Sequence, residues 1–381
     1  MTAKLMQKGL EALQGGNAAE AQRIFEEITA GGAADSSTWL ALAFARVNQG
    51  DTRGTLDAVD QALALDPRNL RALLFKADHL DRIGESRQAL SFYQGALKVA
   101  ASLQQVPPDV QQGLARANKV SNREAEEYEK YLSAALEARG YSHDENSRFA
   151  ESLDIAFGKK PVHYQQPTRY YYPGLPQTAF FSRDQFPWIS ELEAATAAIR
   201  DELLQLLEDQ SSFSPYLETD ETAPQLNDGG NVNSMDWTAF FLWRDGAIVE
   251  ENGSRCPRTM EALAKVDQPM VPGQTPTAIF SKLAPGASIP PHHGVLNTRL
   301  ICHLPLIVPE NCGALRVGNY QEAWREGEAF VFDDSMEHEA WNNSDSERVV
   351  LLFDVWRPEL SEDERHWIGE MLQVVDAYGD S

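Results

Sequence analysis

The stretch that decides the fold of the C-terminal half is EAFVFDDSMEHEAWNNSDSERVVLLFDVW, residues 328–356. It contains two apolar runs, Glu328–Asp334 and Arg348–Trp356, separated by acidic and polar residues. Runs of this length that are rich in Val, Leu and Phe and bounded by Asn, Asp or Ser are typical of β-strands. Both runs are therefore predicted to be strands.

Four further predicted strands lie upstream of this stretch: Met235–Gly246, Thr277–Gly286, Thr298–Val308 and Ala314–Val317. Short strands at this spacing, with Gly, Pro and Asn between them, indicate a β-sandwich or barrel. Amphipathic helices are predicted on either side of this region. One covers Ser190–Asp209, where Ser190 and Glu193 are spaced as a capping box; the other covers Ser361–Gly379 and begins with Ser361 as its N-cap.

The N-terminal hundred residues repeat with a period of 34. Several series of positions share this spacing, among them Gly16, Gly50 and Gly84; Phe25, Val59 and Tyr93; and Ala21, Thr55 and Ala89. Thirty-four residues is the period of the tetratricopeptide helix–turn–helix unit. Each glycine is expected at the turn between two helices, where a positive φ is needed. About three such units are predicted to stack into a short solenoid.

The chain is thus predicted to be an α+β multidomain protein. Its divisions are a tetratricopeptide region at 1–105, a capping helix and linker at 106–165, and a β-rich region with flanking helices at 166–381. The repeats predict a surface for a peptide or protein partner. Oligomerisation is an equally good interpretation of three repeats.

Charge and composition exclude several classes of function. The chain has 33 basic and 57 acidic residues and a formal charge of −24, which disfavours nucleic acid and anionic membranes as partners. The three cysteines, Cys256, Cys302 and Cys312, are too few for a disulfide framework and are expected to be reduced. The N-terminal residues do not resemble a signal peptide, and no apolar run reaches membrane-spanning length, so a cytoplasmic location is expected.

Four of the eight histidines fall between His292 and His338. Histidines clustered in a β-sandwich suggest a first-row metal centre. Non-haem iron sites commonly use a His-x-Asp pair and a distant histidine, but here Gly294 occupies the position of the aspartate. The alternatives are that His292 and His293 are ordinary loop histidines and that His338 is a surface residue.

Arg348 stands at the start of a very apolar predicted strand. A buried guanidinium is costly unless a carboxylate pairs with it. A dicarboxylate ligand could supply that partner through a bidentate contact. Pairing with a protein acid such as Asp354 is the alternative.

Several motifs closely resemble the aspartyl/asparaginyl β-hydroxylases, and the resemblance is tightest between Ser281 and Leu360. They are Pro291-His292-x-Gly294, Asn297-x-Arg299-Leu300, Phe332-Asp333-Asp334-Ser335-x-Glu337-His338 and Asp354-Val355-Trp356-x-Pro358. The family consists of Fe(II)- and 2-oxoglutarate-dependent oxygenases with a double-stranded β-helix (jelly-roll) fold, in which a glycine replaces the usual carboxylate ligand. Its animal members also carry tetratricopeptide-like repeats, so the resemblance covers the domain order as well.

The resemblance implies cofactor roles for five residues. His292 and His338 match the two iron ligands. Arg348 and Ser281 match the pair that binds the distal carboxylate of 2-oxoglutarate, and His303 matches the histidine near its other carboxylate.

The resemblance also implies residues on the substrate side. Arg299 matches a substrate-binding arginine, Trp237 an aromatic residue of the site, and Asp334 could hold an iron-bound water; a turn aspartate at a strand end is the alternative for Asp334. Ile301 replaces the second substrate arginine of the animal enzymes, so one anchor for a substrate carboxylate is missing.

The implied activity is hydroxylation of an unactivated C–H bond, such as the β-carbon of an Asp- or Asn-type residue in a peptide or protein. Three alternatives remain open at this point. They are an oxygenase acting on a small molecule, a halogenase, and a tetratricopeptide scaffold with a catalytically silent cupin-like domain.

Overall fold

The structure is a computed structural model that describes residues 2–32, 34–142, 144, 147–209, 212–218 and 231–379. The chain forms two compact units, Met1–Leu153 and Asp154–Ser381. The predicted connector 106–165 is therefore divided between them. Within the described ranges, none of the helices combines the length and the apolar character needed to cross a membrane.

The first unit contains three antiparallel helix pairs. These are α1 (Thr2–Gln14) with α2 (Ala18–Ala30), α3 (Ser36–Val47) with α4 (Thr52–Leu65), and α5 (Leu70–Arg82) with α6 (Ser86–Ala101). The first helices of successive pairs begin 34 residues apart, which confirms the predicted repeat. Gly16, Gly50 and Gly84 have φ angles of 79°, 78° and 88°, as the turns within the pairs require.

Small residues let the paired helices approach closely. Ala21, Thr55 and Ala89 are fully buried, and the larger residue four positions later in each repeat fills the adjoining core. A long helix, α7 (Gln111–Glu137), follows the third pair, and α8 (Arg148–Ala156) runs across the boundary between Leu153 and Asp154. The helical prediction for the segment before Gly140 is confirmed.

The second unit is built on two antiparallel sheets, counted over its described residues. The larger sheet has the strand order β1 (Phe180–Phe181), β10 (Phe330–Phe332), β7 (Arg299–Ile307), β12 (Arg348–Trp356), β5 (Ala278–Leu283), β3 (Trp237–Arg244) and β2 (Ser214–Pro215), with β4 (Ala247–Ile248) also paired to β3. The smaller sheet has the order β6 (Ser288–His292), β11 (His338–Trp341), β8 (Ala314–Val317) and β9 (Tyr320–Ala323).

The two sheets share a core, which includes Leu283, Ile301, Leu315, Val317 and Val350. The opposite face of the larger sheet packs on helices α9 (Ile189–Ala194), α10 (Thr196–Leu207) and α12 (Pro257–Leu263). Two short or terminal helices, α11 (Glu250–Gly253) and α13 (Glu362–Gly379), complete the unit. This sandwich with flanking helices confirms the predicted fold class.

One predicted helix is interrupted, and the cap predicted for it is wrong. The segment Ser190–Asp209 forms two helices that meet at Ala195, and Ser190 lies inside the first of them rather than at its N-cap. Glu193 does not close a capping box. It accepts a hydrogen bond from the Ala329 backbone N–H and pairs with Arg183, because its position beside the sheet offers stronger donors. The Ser361 cap is confirmed by its hydrogen bonds with Glu364.

Candidate active site

Strand pairing in the smaller sheet brings His292 and His338 together. His292 ends β6, His338 begins β11, and the two residues are register partners with ring centroids 4.0 Å apart. The Nδ1 of His292 lies 2.8 Å from the Pro290 carbonyl and that of His338 lies 3.0 Å from the Met336 carbonyl. A carbonyl only accepts, so each Nδ1 carries the hydrogen and each Nε2 keeps its lone pair.

Both imidazoles are held neutral. Burial lowers the pKa of His292, and burial together with the neighbouring His292 lowers the pKa of His338 to about 3. Metal-binding histidines commonly donate their second ring N–H to a backbone carbonyl. The pair therefore has the chemistry of two metal ligands.

The space beside Gly294 is filled by the carboxylate of Asp334, which follows β10. The Gly294 N–H donates to the Asp334 carbonyl at 2.6 Å, and a Cβ on Gly294 would lie 1.9 Å from Asp334 Oδ2. A side chain at position 294 is therefore excluded while Asp334 keeps its place. Among the described residues, no group of three or more His, Cys, Asp or Glu side chains is placed to hold a metal ion.

Arg348 is a buried cation with free donors. It is 1% exposed, and its Nε and Nη1 find no hydrogen-bond partner among the described residues. Burial lowers its pKa to about 10. The alternative partner, Asp354, instead accepts hydrogen bonds from Thr275 Oγ1 and the Thr277 N–H. An unpaired guanidinium of this kind requires an anionic ligand to offset its desolvation.

Register in the larger sheet places Ser281 and His303 beside Arg348. On β12, Val350 lies opposite Ser281 and Leu352 lies opposite His303. Because residues two apart on a strand share a face, the three polar side chains all face the smaller sheet. An anion bound to Arg348 would therefore be within a polar cluster formed by three neighbouring strands.

Arg299, in contrast, already has partners inside the protein. Its Nη1 donates to Asp334 Oδ2 at 3.0 Å, and its Nε lies 3.4 Å from Asp354 Oδ1. Burial alone would lower the pKa of Arg299, but the two carboxylates raise it above its ordinary value. Burial raises the pKa of Asp334 to about 6, against the opposing effect of Arg299.

A cavity of about 590 Å³ unites these groups, a size typical of ligand pockets. Every residue predicted for the site lines it: Trp237, Ser281, His292, Arg299, His303, Asp334, His338 and Arg348. The Trp237 indole N–H donates to Ser281 Oγ at 3.2 Å. That contact leaves the serine hydroxyl hydrogen available to a ligand.

Sequence reasoning missed two aromatic residues of the site. Tyr216 stacks on Trp237 with ring centroids 4.2 Å apart, and Trp324 contacts both His303 and Arg348. Tyr216 follows β2 and Trp324 follows β9, and both strands are too short to give a sequence pattern. A single aromatic residue beside a turn carries no sequence signal of its own.

A buried clamp behind the site was also missed. Asp333 and Arg357 are both fully buried, and Arg357 Nη1 lies 2.7 Å from Asp333 Oδ2. Gln165 Nε2 donates to the same oxygen at 2.7 Å, and Ser335 donates to the other oxygen. The clamp fixes the segment that leads from β10 to His338.

Comparisons with known proteins agree with this geometry. Residues 193–358 match the family described as Aspartyl/Asparaginyl beta-hydroxylase. The Ornithine lipid ester-linked acyl 2-hydroxylase of Rhizobium tropici is 38% identical over 212 residues, which cover 55% of this chain and 66% of that protein. The Aspartyl/asparaginyl beta-hydroxylase of Homo sapiens is 34% identical over 178 residues, which cover 46% of this chain and 22% of that protein.

The chain thus spans less than two thirds of the length of either relative. For the helical part, the type III secretion translocator chaperone SycD of Yersinia enterocolitica is 18% identical over 32% of this chain and 88% of that chain, with a TM-score of 0.29. A similarity with so low a TM-score carries no argument about the fold or function of the helical unit.

Two antiparallel sheets around a cavity that holds two neutral histidines and an unpaired buried arginine define a jelly-roll protein with a two-histidine site. Residues 193–358 are similar to the aspartyl/asparaginyl β-hydroxylase family, through the family match and through both relatives. This similarity supports the proposal of a hydroxylase activity for the second unit.

Proposed function

We propose that this protein is an Fe(II)- and 2-oxoglutarate-dependent dioxygenase that hydroxylates an unactivated C–H bond. The observation that carries the proposal is Arg348, whose buried guanidinium has free donors on the same cavity as the histidine pair. His292 and His338 would hold the iron through their Nε2 atoms. When bound, the iron and 2-oxoglutarate use dioxygen to hydroxylate the substrate, with succinate and CO2 as the other products.

The residues of the chain bind and orient the cosubstrate. Arg348 supplies a full positive charge and two free N–H donors, and Ser281 supplies a hydroxyl donor on the adjacent strand. His303 offers its Nε2, which has no partner among the described residues. Together they match a carboxylate-bearing ligand, because planar guanidinium groups bind carboxylates in two-point contacts.

Asp334 argues against the halogenase alternative. A halide ligand would need the space beside Gly294, and the Asp334 carboxylate occupies that space. Two anions this close repel each other in a buried site. The silent-scaffold alternative requires the loss of a histidine or of the cosubstrate arginine, yet all three line the cavity.

Succinate release tests the proposal. Purified protein with Fe(II), ascorbate and 2-oxoglutarate should release succinate above the protein-free background, and His338→Ala should abolish this release. The matched control is His366→Ala, because His366 is exposed on α13. Equal succinate release by wild type and His338→Ala would refute the proposal.

A second observation bears on the substrate. Among the described lining residues, Arg299 is the cation on the substrate side, and both Asp334 and Asp354 already neutralise it. Among the described lining residues, a substrate carboxylate therefore finds no cation apart from Arg299, which is already paired, and Arg348, which is assigned to the cosubstrate. This favours an uncharged acyl-type substrate over a peptidyl aspartate.

The named activity of the Rhizobium tropici relative concerns an ester-linked acyl group, which is consistent with this second candidate. Succinate release should rise at least ten-fold with a neutral acyl ester and not with an aspartyl peptide of similar size. Stimulation by the aspartyl peptide alone would restore the peptide substrate. A terminal carboxylate added to the acyl chain should reduce the stimulation, because it would face Asp334 and Asp354.

The helical unit supports a separate proposal, that the repeats bind a peptide or protein partner. Stacked helix pairs present an extended surface that suits such ligands. Light scattering of the full chain at several concentrations separates this from oligomerisation: a concentration-independent monomer favours the partner role, and a stable oligomer favours self-association.

A further inference from the structure

Trp324 lies between β9 and β10 and is 4% exposed. Its indole Nε1 is 3.3 Å from His303 Nδ1. Its ring also lies against Arg348, whose Cζ is 4.5 Å from the ring centroid. One side chain thus contacts two of the three groups that face the proposed cosubstrate.

The contact with His303 determines the tautomer of that imidazole. An indole N–H can only donate, so His303 Nδ1 must be the acceptor. Burial, and then the nearby Arg348, hold the pKa of His303 well below its ordinary range, so the ring is neutral and has one hydrogen. That hydrogen must be on Nε2, which has no partner among the described residues and belongs to a cavity-lining side chain.

The contact with Arg348 orients the guanidinium. Cations lie favourably over the face of an indole ring, and burial strengthens the attraction. While its Cζ lies over the Trp324 ring, Arg348 keeps Nε and Nη1 without partners among the described residues. The indole therefore leaves available the atoms that a carboxylate would use.

We propose that Trp324 is a positioning residue for the cosubstrate. It fixes His303 as an N–H donor and holds the Arg348 guanidinium over its ring, so that both groups present donors to one bound dicarboxylate. This inference rests on the proposed function. Trp324 would act through His303 and Arg348, and not by direct contact with the iron or the cosubstrate.

The tautomer can be measured without iron or cosubstrate. In metal-free protein labelled with ¹⁵N-histidine, the ring nitrogen shifts of His303 should show hydrogen on Nε2 in the wild type. Trp324→Phe keeps an aromatic face for Arg348 but removes the N–H donor, so the His303 signals should move toward a mixture of tautomers. Trp188→Phe, at an indole packed on the opposite face of the larger sheet, should leave them unchanged.

Binding of 2-oxoglutarate is the second readout. With a redox-inert divalent metal in place of iron, calorimetric titration of Trp324→Phe should give a Kd raised about 3- to 10-fold, as expected for one lost hydrogen bond. Trp324→Leu removes the aromatic face as well and should weaken binding further. In turnover, the KM for 2-oxoglutarate should rise while kcat changes less than about two-fold.

The outcomes separate the two claims. The role of Trp324 would be overturned if the wild type binds 2-oxoglutarate and Trp324→Phe has the same Kd and the same His303 signals. Wild type with the expected tautomer but no 2-oxoglutarate binding would overturn the proposed function instead. Thermal unfolding of each variant identifies any loss due to misfolding, and the conservative Trp324→Phe change keeps the inference testable if Trp324→Leu unfolds.

Discussion

At the scale of single residues, the site depends on groups that the fold leaves unsatisfied. Arg348 Nε and Nη1, His303 Nε2 and Asp334 Oδ1 are all buried and without partners among the described residues. Such groups are rare in native proteins and call for a ligand or another explanation. Their concentration around one cavity supports the proposed anion site at Arg348.

Replacing Arg348 should weaken 2-oxoglutarate binding without lowering the stability of the ligand-free protein. Arg348→Met removes an unpaired buried charge, so the ligand-free protein should keep its unfolding midpoint or gain a few degrees. The same change should weaken 2-oxoglutarate binding more than 100-fold. Calorimetry and thermal melts measure both quantities, and a large loss of stability without a loss of binding would contradict the assignment.

Gly294 and Asp334 should be coupled. Gly294→Ala places a methyl group 1.9 Å from Asp334 Oδ2 and should destabilise the protein by about 1–3 kcal/mol. In an Asp334→Gly background the same change should cost much less, because the clash is gone. Denaturant titrations of the four proteins give the coupling energy, and additive effects would show that the two positions do not compete for space.

The metal-free protein should lose stability in acid through His338. Its native pKa of about 3 lies below the unfolded value near 6.5, so between these pH values the unfolded chain binds a proton that the native protein does not. Stability is therefore present above pH 6.5 and declines as the pH falls. His338→Gln should make the decline shallower by about 1.4 kcal/mol per pH unit, as measured by denaturant titrations across this pH range.

At the scale of secondary structure elements, strand pairing rather than strand sequence builds the site. The apolar strands β3, β5, β7, β8, β10 and β12 were all predictable from their runs of branched and aromatic residues. The strands that carry the histidines, β6 and β11, were not, because one contains Pro290 and Pro291 and the other follows an acidic turn. Only the register between them shows that His292 and His338 are neighbours.

Much of the site could nevertheless be named from sequence, because its motifs resemble those of a family. Their partners could not be named. The ion pairs of Arg299 with Asp334 and Asp354, and the contacts of Trp324, join elements far apart in the chain. No local pattern predicts such pairs, since they depend on strand register and on packing between separate elements.

The Asp333–Arg357 clamp should be essential to the turn before β11. Asp333→Asn removes the fully buried carboxylate partner of Arg357 and leaves only the more exposed Glu359, and breaking a buried pair costs about 3–5 kcal/mol. Glu328→Gln, in an exposed pair with Arg325, should change stability by less than about 1 kcal/mol. Chemical denaturation compares the two variants, and equal effects would show that the clamp has no special role.

At the scale of the whole molecule, the repeat unit and the sandwich unit have separate cores. The period of 34 predicted the first unit well, because each repeat is stabilised by its neighbours along the sequence. The described residues that line the cosubstrate cavity all lie at or after Tyr216. Changes in the repeats are therefore expected to leave cosubstrate binding intact.

Gly50 tests this independence. Gly50→Ala forces a side chain into a turn with φ of 78° and should destabilise the first unit by about 1–2 kcal/mol. The affinity for 2-oxoglutarate should not change. Gly31→Ala is the matched control, because Gly31 has a φ of −74°; a changed 2-oxoglutarate affinity in Gly50→Ala alone would show that the units are coupled.

The central claim is that His292, His338 and Arg348 bind iron and 2-oxoglutarate together. The most direct test is an anaerobic titration of the protein with Fe(II) in the presence of 2-oxoglutarate, followed by visible absorption. A weak charge-transfer band should appear, saturate near one iron per chain, and be lost in both His338→Ala and Arg348→Met. A wild-type protein that gives no band and binds no 2-oxoglutarate with iron present would contradict the claim.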